Sequence, residues 1–419
     1  MSDKPKCSFC GRPQNEVKAL ISSASQSTHI CDGCLEKGVA AVRGRAAKEM
    51  TEEAPLPKPL EIEALLDQYV IGQPMAKAHV SMAVYNHYKR RRALQNNFVP
   101  SDGEVEIDKS NVLIAGPSGC GKTALARTIA RILKVPFYVG DATKLTQSGY
   151  AGDDVDMLLQ GLLEQCGWDV EKAQWGIIVI DEIDKLSRSS GREVSGYRDV
   201  SGEGVQQALL KITEGGKVTV AKGNGARLID ASQQATVQID TSNILFIGMG
   251  SFDGIQRHVD KRLNSSATLG FGAPLRQKLA EGEAYTQLEE DDFLQFGIIP
   301  ELMGRFPILT SVLSLTVEEL HRILTEPKNA LVKQFRALYE MDGITLQFDD
   351  EAVMAIAEKA KKRKTGARAL RGVLEELLVQ YSRSLPSDPN VKGLRITRAF
   401  TLGEGEPILT RREVRVAQA

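Results

Sequence analysis

The sequence predicts an α/β chain built on a parallel sheet, and three observations predict it. Short, apolar, partly branched runs such as Val112-Leu113-Ile114-Ala115 and Gly176-Ile177-Ile178-Val179-Ile180 have the character of buried parallel strands. Breaker-free stretches with helical spacing, such as Thr123 to Leu133, alternate with them. The turn joining the first such strand to its helix reads Gly116-Pro117-Ser118-Gly119-Cys120-Gly121-Lys122-Thr123, a complete G-x-x-x-x-G-K-T loop in a strand-to-helix setting. Glycines let backbone N–H groups close around phosphates there, and the helix N-terminus adds its partial positive charge. Lys122 is expected to reach the β- and γ-phosphates, and the Thr123 hydroxyl to bind Mg²⁺. The loop therefore predicts a nucleotide site.

At 419 residues the chain exceeds one ordinary domain. Its 53 basic and 54 acidic residues give a formal net charge of −1, which offers no electrostatic case for a nucleic-acid surface. The first residues, Met1 to Lys6, lack the apolar core of a secretory signal, and no run is long enough to span a bilayer. The expectation is a cytoplasmic protein whose six cysteines are not disulfides.

Composition divides the chain. Residues 1–45 hold four of the six cysteines, and 46–60 form a charged, proline-rich linker. The α/β pattern occupies 61–312. A smaller, mainly helical domain is expected over 313–402, with strand-like pieces at 344–348 and 394–397, followed by a polar, frayed tail at 403–419.

The cysteines read Cys7-Ser8-Phe9-Cys10 and Cys31-Asp32-Gly33-Cys34, two C-x₂-C pairs separated by twenty residues. Four thiolates at this spacing suit tetrahedral Zn²⁺ better than a redox pair. Structural zinc can supply about 10–16 kcal/mol of apparent binding energy to a module with little core of its own. His29 is not needed once four cysteines bind. Cys120 and Cys166 fall outside the module.

The strand ending at Ile180 runs into Asp181-Glu182, the carboxylate pair expected beside a phosphate loop in an ATPase. Asp181 is expected to hold Mg²⁺ and Glu182 to polarise the attacking water. Taken alone this is a strand ending in a solvated acidic turn; behind a phosphate loop the catalytic reading prevails. Phosphoryl transfer also calls for positive charge at the transition state, and an arginine finger supplies roughly 10³- to 10⁵-fold. Arg305, in Ile299-Pro300-Glu301-Leu302-Met303-Gly304-Arg305-Phe306, and Arg368, in Lys364-Thr365-Gly366-Ala367-Arg368, are the candidates. Spacing alone leaves a surface salt bridge open for each.

Longer segments carry a resemblance. Asp67 to Gln73, Ala83 to Arg90, the loop 116–123, Ile180 to Leu186, Asp199 to Lys211, Glu326 to Leu331 and 364–371 together resemble the AAA+ ATPases and, within them, the ClpX family, the unfoldase subunits of the Clp protease. The resemblance runs from the cysteine region to about residue 385. It implies an AAA+ fold with a small helical domain, and a homo-hexameric ring that unfolds proteins through a central pore. Matching positions put Val70 and Ile71 in the adenine pocket, Arg305 as a finger reaching a neighbouring subunit, and Arg368 as a sensor of the same subunit's nucleotide. Tyr150 and Ala151 match a substrate-gripping pore loop, and Arg198 a second one. Leu269-Gly270-Phe271 matches the tripeptide that docks on the ClpP peptidase ring. The cysteine module, in this family, receives adaptors and some substrates.

Two departures qualify the match. The family usually has a larger aliphatic residue where Ala151 stands, which leaves the strength of the grip open. It also usually has an Arg-Lys-His loop where this chain reads Gly223-Asn224-Gly225-Ala226-Arg227-Leu228, which implies weakened or altered recognition of tags with a C-terminal carboxylate. No protease nucleophile of the chain's own stands out, so cleavage is expected from a partner. The alternatives are a protease-independent ATP-driven chaperone or remodeller, and a nucleic-acid motor carrying a zinc ribbon. The latter calls for a basic stripe with stacking aromatics, and the cysteine region offers one aromatic, Phe9.

Overall fold

A computed structural model describes residues 5–23, 28–35, 37–38, 56–96, 98, 101, 103, 105, 107–146, 153–187, 202–222, 236–265 and 281–412. The chain divides into two units, Met1–Leu56 and Pro57–Ala419.

In the first unit, β1 (Leu20–Ser22) and β2 (His29–Cys31) form an antiparallel pair with Leu20 opposite Cys31. Among its described residues only Cys7 and Cys31 are buried. Among the described residues, then, no apolar core holds this unit, and the cysteine cluster is what can do so.

The second unit opens with helices α1 (Pro59–Asp67) and α2 (Pro74–Gln95), each started by a proline whose missing N–H costs nothing at a first turn. Its central sheet has five parallel strands: β3 (Val112–Ala115), β4 (Phe137–Asp141), β5 (Ile177–Asp181), β6 (Leu245–Gly250) and β7 (Ile308–Ser311). Their order across the sheet is β7-β3-β6-β5-β4, and every adjacent pair runs parallel. All four residues of β3 and all six of β6 are buried, which is why these strands are apolar throughout rather than alternating. Helix α3 (Lys122–Leu133) buries Leu125, Ala126, Ile129 and Ala130, the stripe that its period of 3.6 delivers to one face. Helices α4 (Asp156–Gln165) and α5 (Glu203–Glu214) bury Leu158, Leu162, Val205 and Leu209 in one apolar core with Phe246, Phe252 and Phe306.

A second core follows, built by α6 (Val317–Thr325), α7 (Leu331–Met341), α8 (Asp350–Lys362) and α9 (Arg368–Ser384) around Leu320, Leu324, Ile356, Leu370, Leu374 and Ile396. Thr316 starts α6 with a reciprocal cap: its hydroxyl accepts the Glu319 N–H at 3.1 Å, and Glu319 Oε2 accepts the Thr316 N–H at 2.8 Å. Strands β8 (Thr345–Phe348), β9 (Val391–Ile396) and β10 (Ile408–Arg411) make a small mixed sheet. The strand β10 lies in the stretch read from sequence as a frayed tail. Its four residues are exposed, so backbone pairing to β9, which leaves no apolar signature, is what orders it.

The two cores meet at backbone level. The Ala367 N–H donates to the Gly119 carbonyl at 2.9 Å. A Cβ on Gly119 would stand 2.1 Å from the Thr365 carbonyl oxygen, and one on Gly366 would stand 2.6 Å from that of Gly119. Gly366 also has φ +57°, in the left-handed region. Gly366→Ala is expected to cost about 1–2 kcal/mol from φ alone. Because it opens the contact that brings α9 to the phosphate loop, nucleotide affinity should fall about tenfold or more. Fluorescent-nucleotide titration measures this; an unchanged dissociation constant would show that the junction does not govern binding.

Candidate nucleotide and zinc sites

Three strands of the sheet end in loops on one edge, and between them lies a cavity of about 460 Å³, within the range of ligand sites. Its walls come from the loop after β3 (Ser118, Gly119, Gly121, Lys122, Thr123), the tip of β5 (Asp181, Glu182, Asp184, Lys185), the tip of β6 (Gly250, Ser251, Asp253) and the start of α9 (Ala367, Arg368). The parallel register makes this meeting unavoidable, since every strand's C-terminal end lies on the same side.

The Lys122 ammonium is buried and donates to the carbonyls of Gly116 and Pro117. Burial lowers its pKa, while the Cys120 thiol and the Asp181 and Asp184 carboxylates act the other way. The Thr123 hydroxyl donates to Asp181 Oδ2 at 3.0 Å. Hydroxyl and carboxylate together are the hard-oxygen donors that Mg²⁺ takes. Glu182 has φ +58°, ψ +32°, a left-handed conformation unusual for a non-glycine residue. Strain of that kind costs on the order of 1–3 kcal/mol and gathers at functional sites. It turns the chain at the strand tip, with the Glu182 N–H on Asp181 Oδ1 at 3.0 Å. Arg368 Nη1 donates to the Ser118 hydroxyl at 3.1 Å, across 250 residues of sequence.

Several cavity residues were not singled out from sequence. Asp184 is buried and accepts from the Ser251 N–H at 3.2 Å, the Ser251 hydroxyl at 3.0 Å and Lys185 Nζ at 3.0 Å. It thereby locks the tip of β5 to the tip of β6. A Cβ on Gly250 would come within 2.8 Å of Asp184 Oδ1, so a glycine is required for the approach. The usable signal was the position of Ser251 and Asp253 directly after an apolar strand.

Other expected residues are not brought together here. Val70 and Ile71 are buried, and neither is among the residues that line this cavity; the Val70 carbonyl accepts from Lys77 Nζ at 2.6 Å. Cys120 is buried within the loop, its thiol 3.9 Å from the Ser118 carbonyl, and burial raises its pKa. Arg305 precedes β7, whose Ile308 pairs with Val112 at the start of β3, so it lies at the edge opposite the phosphate loop. Its guanidinium pairs with Glu214 at the end of α5. Tyr150, Ala151, Arg198, Leu269, Gly270, Phe271 and the 223–228 loop lie outside the described residues.

In the first unit the four sulfurs of Cys7, Cys10, Cys31 and Cys34 lie within 4.8 Å of one another. Cys10 and Cys31 are 3.6 Å apart; four thiolates about 2.3 Å from one zinc stand about 3.8 Å apart in a tetrahedron. The donor set therefore fits Zn²⁺. Burial raises the Cys7 thiol, but backbone N–H groups of Cys10, Phe9 and Cys31 together outweigh it and bring it down to about 6, while sulfur neighbours, Cys10 foremost, push Cys34 up to about 12. His29 is turned elsewhere, its Nδ1 2.8 Å from the Ser22 hydroxyl.

Comparison with known proteins agrees with this geometry. The family model "ClpX C4-type zinc finger" matches residues 5–43, "AAA domain (Cdc48 subfamily)" matches 107–309, and "C-terminal, D2-small domain, of ClpB protein" matches 315–387. The ATP-dependent Clp protease ATP-binding subunit ClpX of Azotobacter vinelandii is 47% identical over 397 residues, 94% of this chain and 89% of that protein. The chain belongs to the ClpX family. The protein of the same description from Treponema denticola is 44% identical over 396 residues, 94% of this chain and 92% of its own length.

As a ClpX-family AAA+ protein the chain is an ATPase whose cofactors are ATP, Mg²⁺ and Zn²⁺. Its fold is the expected AAA+ α/β core with a helical C-terminal part and an N-terminal C4 zinc finger. Among the described residues no helix is long and apolar enough to cross a membrane. Cys10→Ser is expected to abolish binding of a single zinc ion per chain and to remove amide protection across β1 and β2. Metal analysis with hydrogen exchange tests this; full zinc occupancy in the variant would rule out the four-sulfur set.

Proposed function

We propose that this chain is an ATP-driven protein unfoldase and translocase that works as a homo-hexameric ring in the cytoplasm and delivers its substrates to the ClpP peptidase. The observation that carries the reading is the composition of the nucleotide cavity. Its phosphate loop and carboxylates belong to the α/β core, whereas Ala367 and Arg368 belong to the helical part. A nucleotide there touches both bodies, so its hydrolysis changes what holds them together, and chemistry becomes motion. The relatives' name, ATP-binding subunit of the Clp protease, supports the choice of partner.

Within this reading Lys122 neutralises phosphate charge, helped by the N–H groups of the 116–123 loop. Thr123 and Asp181 hold Mg²⁺, which when bound screens the charge that develops on the phosphates. Glu182 accepts the proton of the attacking water. Arg368 registers the nucleotide of its own chain. Arg305, on the far edge of the sheet, serves a neighbouring copy and must exchange Glu214 for that copy's phosphates. Val70 and Ile71 support the base. Tyr150 and Ala151, with Arg198 beyond them, grip the substrate in the pore, and Leu269, Gly270 and Phe271 dock on ClpP. The zinc module receives adaptors or substrates.

Two measurements test the scheme. Glu182→Gln should bind ATP within about threefold of the unaltered protein while hydrolysis falls by about 10²-fold or more. Rapid turnover in that variant would remove Glu182 from the base role. Replacing Leu269 and Phe271 together by alanine should abolish ATP-dependent association with a ClpP ring and leave ATPase activity intact. An unaltered protein that does not associate would favour the protease-independent remodeller.

A further inference from the structure

Asn111 is 1% exposed, sits immediately before β3, and uses both ends of its side-chain amide. Its Nδ2 donates to the carbonyl of Arg305 at 2.8 Å. Its Oδ1 accepts the backbone N–H of Phe246, in β6, at 3.1 Å. Its own backbone carbonyl accepts the Ile308 N–H of β7 at 3.3 Å. One side chain thus ties the backbone of Arg305 to two strands of the central sheet.

The tie extends across the sheet. Strand β3 leads from Asn111 directly to Gly116, and its four residues are fully buried. It is paired on both sides, to β7 from Val112 to Ala115 and to β6 over the same residues. Four residues of strand span about 13 Å, and a strand held on both sides inside a close-packed core moves as a body rather than bending. The phosphate loop is at one end of this strut and Arg305 at the other.

We propose that Asn111 is a positioning residue for Arg305, fixing its backbone relative to the phosphate loop of the same chain. A change of nucleotide at one end of β3 is then felt by the arginine that serves the adjacent copy's nucleotide. The proposal rests on the finger reading of Arg305 given above. The outer contact to Glu214 is between side chains that are 43% and 47% exposed, and such pairs exchange readily. The inner contact is not exchangeable in that way: without Nδ2 the Arg305 carbonyl loses its donor, and without Oδ1 a buried N–H of Phe246 is left unpaired.

The full-length assembled protein is the test object. Asn111→Asp keeps an acceptor for Phe246 and replaces the donor to Arg305 by an oxygen; Asn111→Ser, which is smaller and uncharged, serves if the aspartate variant does not fold. Steady-state ATPase and fluorescent-nucleotide binding are measured for these, for Arg305→Ala and for the double variants. Asn111→Asp is expected to lower kcat about tenfold, as a small misplacement of a reacting group does, with KM and nucleotide affinity within about threefold. Added to Arg305→Ala it should lower kcat no further, because its effect runs through the arginine. Losses that multiply in the double variant, or a kcat untouched by either Asn111 change, would overturn the proposal. If Arg305→Ala alone leaves kcat unchanged, the finger reading fails instead, and the positioning role falls with it.

Discussion

Parallel pairing of the five central strands is the constraint on which the rest of this structure depends. It sends every strand tip to one edge and every strand start to the other. The phosphate loop, the Asp181-Glu182 pair and Ser251 therefore converge without any side chain having to reach far. Arg305, which precedes a strand instead of following one, is carried to the opposite edge by the same rule. One edge of the sheet thus carries the nucleotide cavity, and the other carries Arg305 and its pairing to Glu214.

The second element is the backbone contact between Gly119 and the Thr365–Ala367 turn. Side chains would hold the two bodies apart there, since a Cβ on either Gly119 or Gly366 meets a carbonyl oxygen inside van der Waals distance. Two glycines instead let the phosphate loop and the start of α9 touch, and Arg368 reaches Ser118. The resulting joint is small and polar. A joint of that kind responds to an occupant carrying several negative charges, because Lys122 and Arg368 both face the cavity and neither has a carboxylate of its own in the hydrogen bonds described. Among the described residues of the first unit, four sulfurs cluster where a larger domain would have an apolar core.

Much of the chemistry was legible before any folding was considered, because it is written in short spacings. The loop 116–123, the acidic pair after Ile180 and the paired C-x₂-C motifs each place their groups through a turn of a few residues. Local geometry of that kind follows from local sequence. Less legible were Ser251 and Asp253, which lack a motif and qualify only through the strand they follow, and β10, whose exposed residues are ordered by pairing alone. Asn111 was invisible too: an asparagine ahead of a strand looks like a turn residue until its amide is found between Phe246 and Arg305.

By itself, then, the sequence placed the candidate groups: a phosphate loop with its lysine, a hydroxyl and carboxylate suited to Mg²⁺, an acidic neighbour, and four cysteines suited to zinc. Tertiary structure decided which of them act together. Two arginines of similar appearance in sequence were parted, Arg368 to its own chain's phosphate loop and Arg305 to the far edge beside Glu214. The reason is physical. Contacts across 250 residues depend on strand order and register, which arise from burial of whole apolar faces and not from any short run of residues.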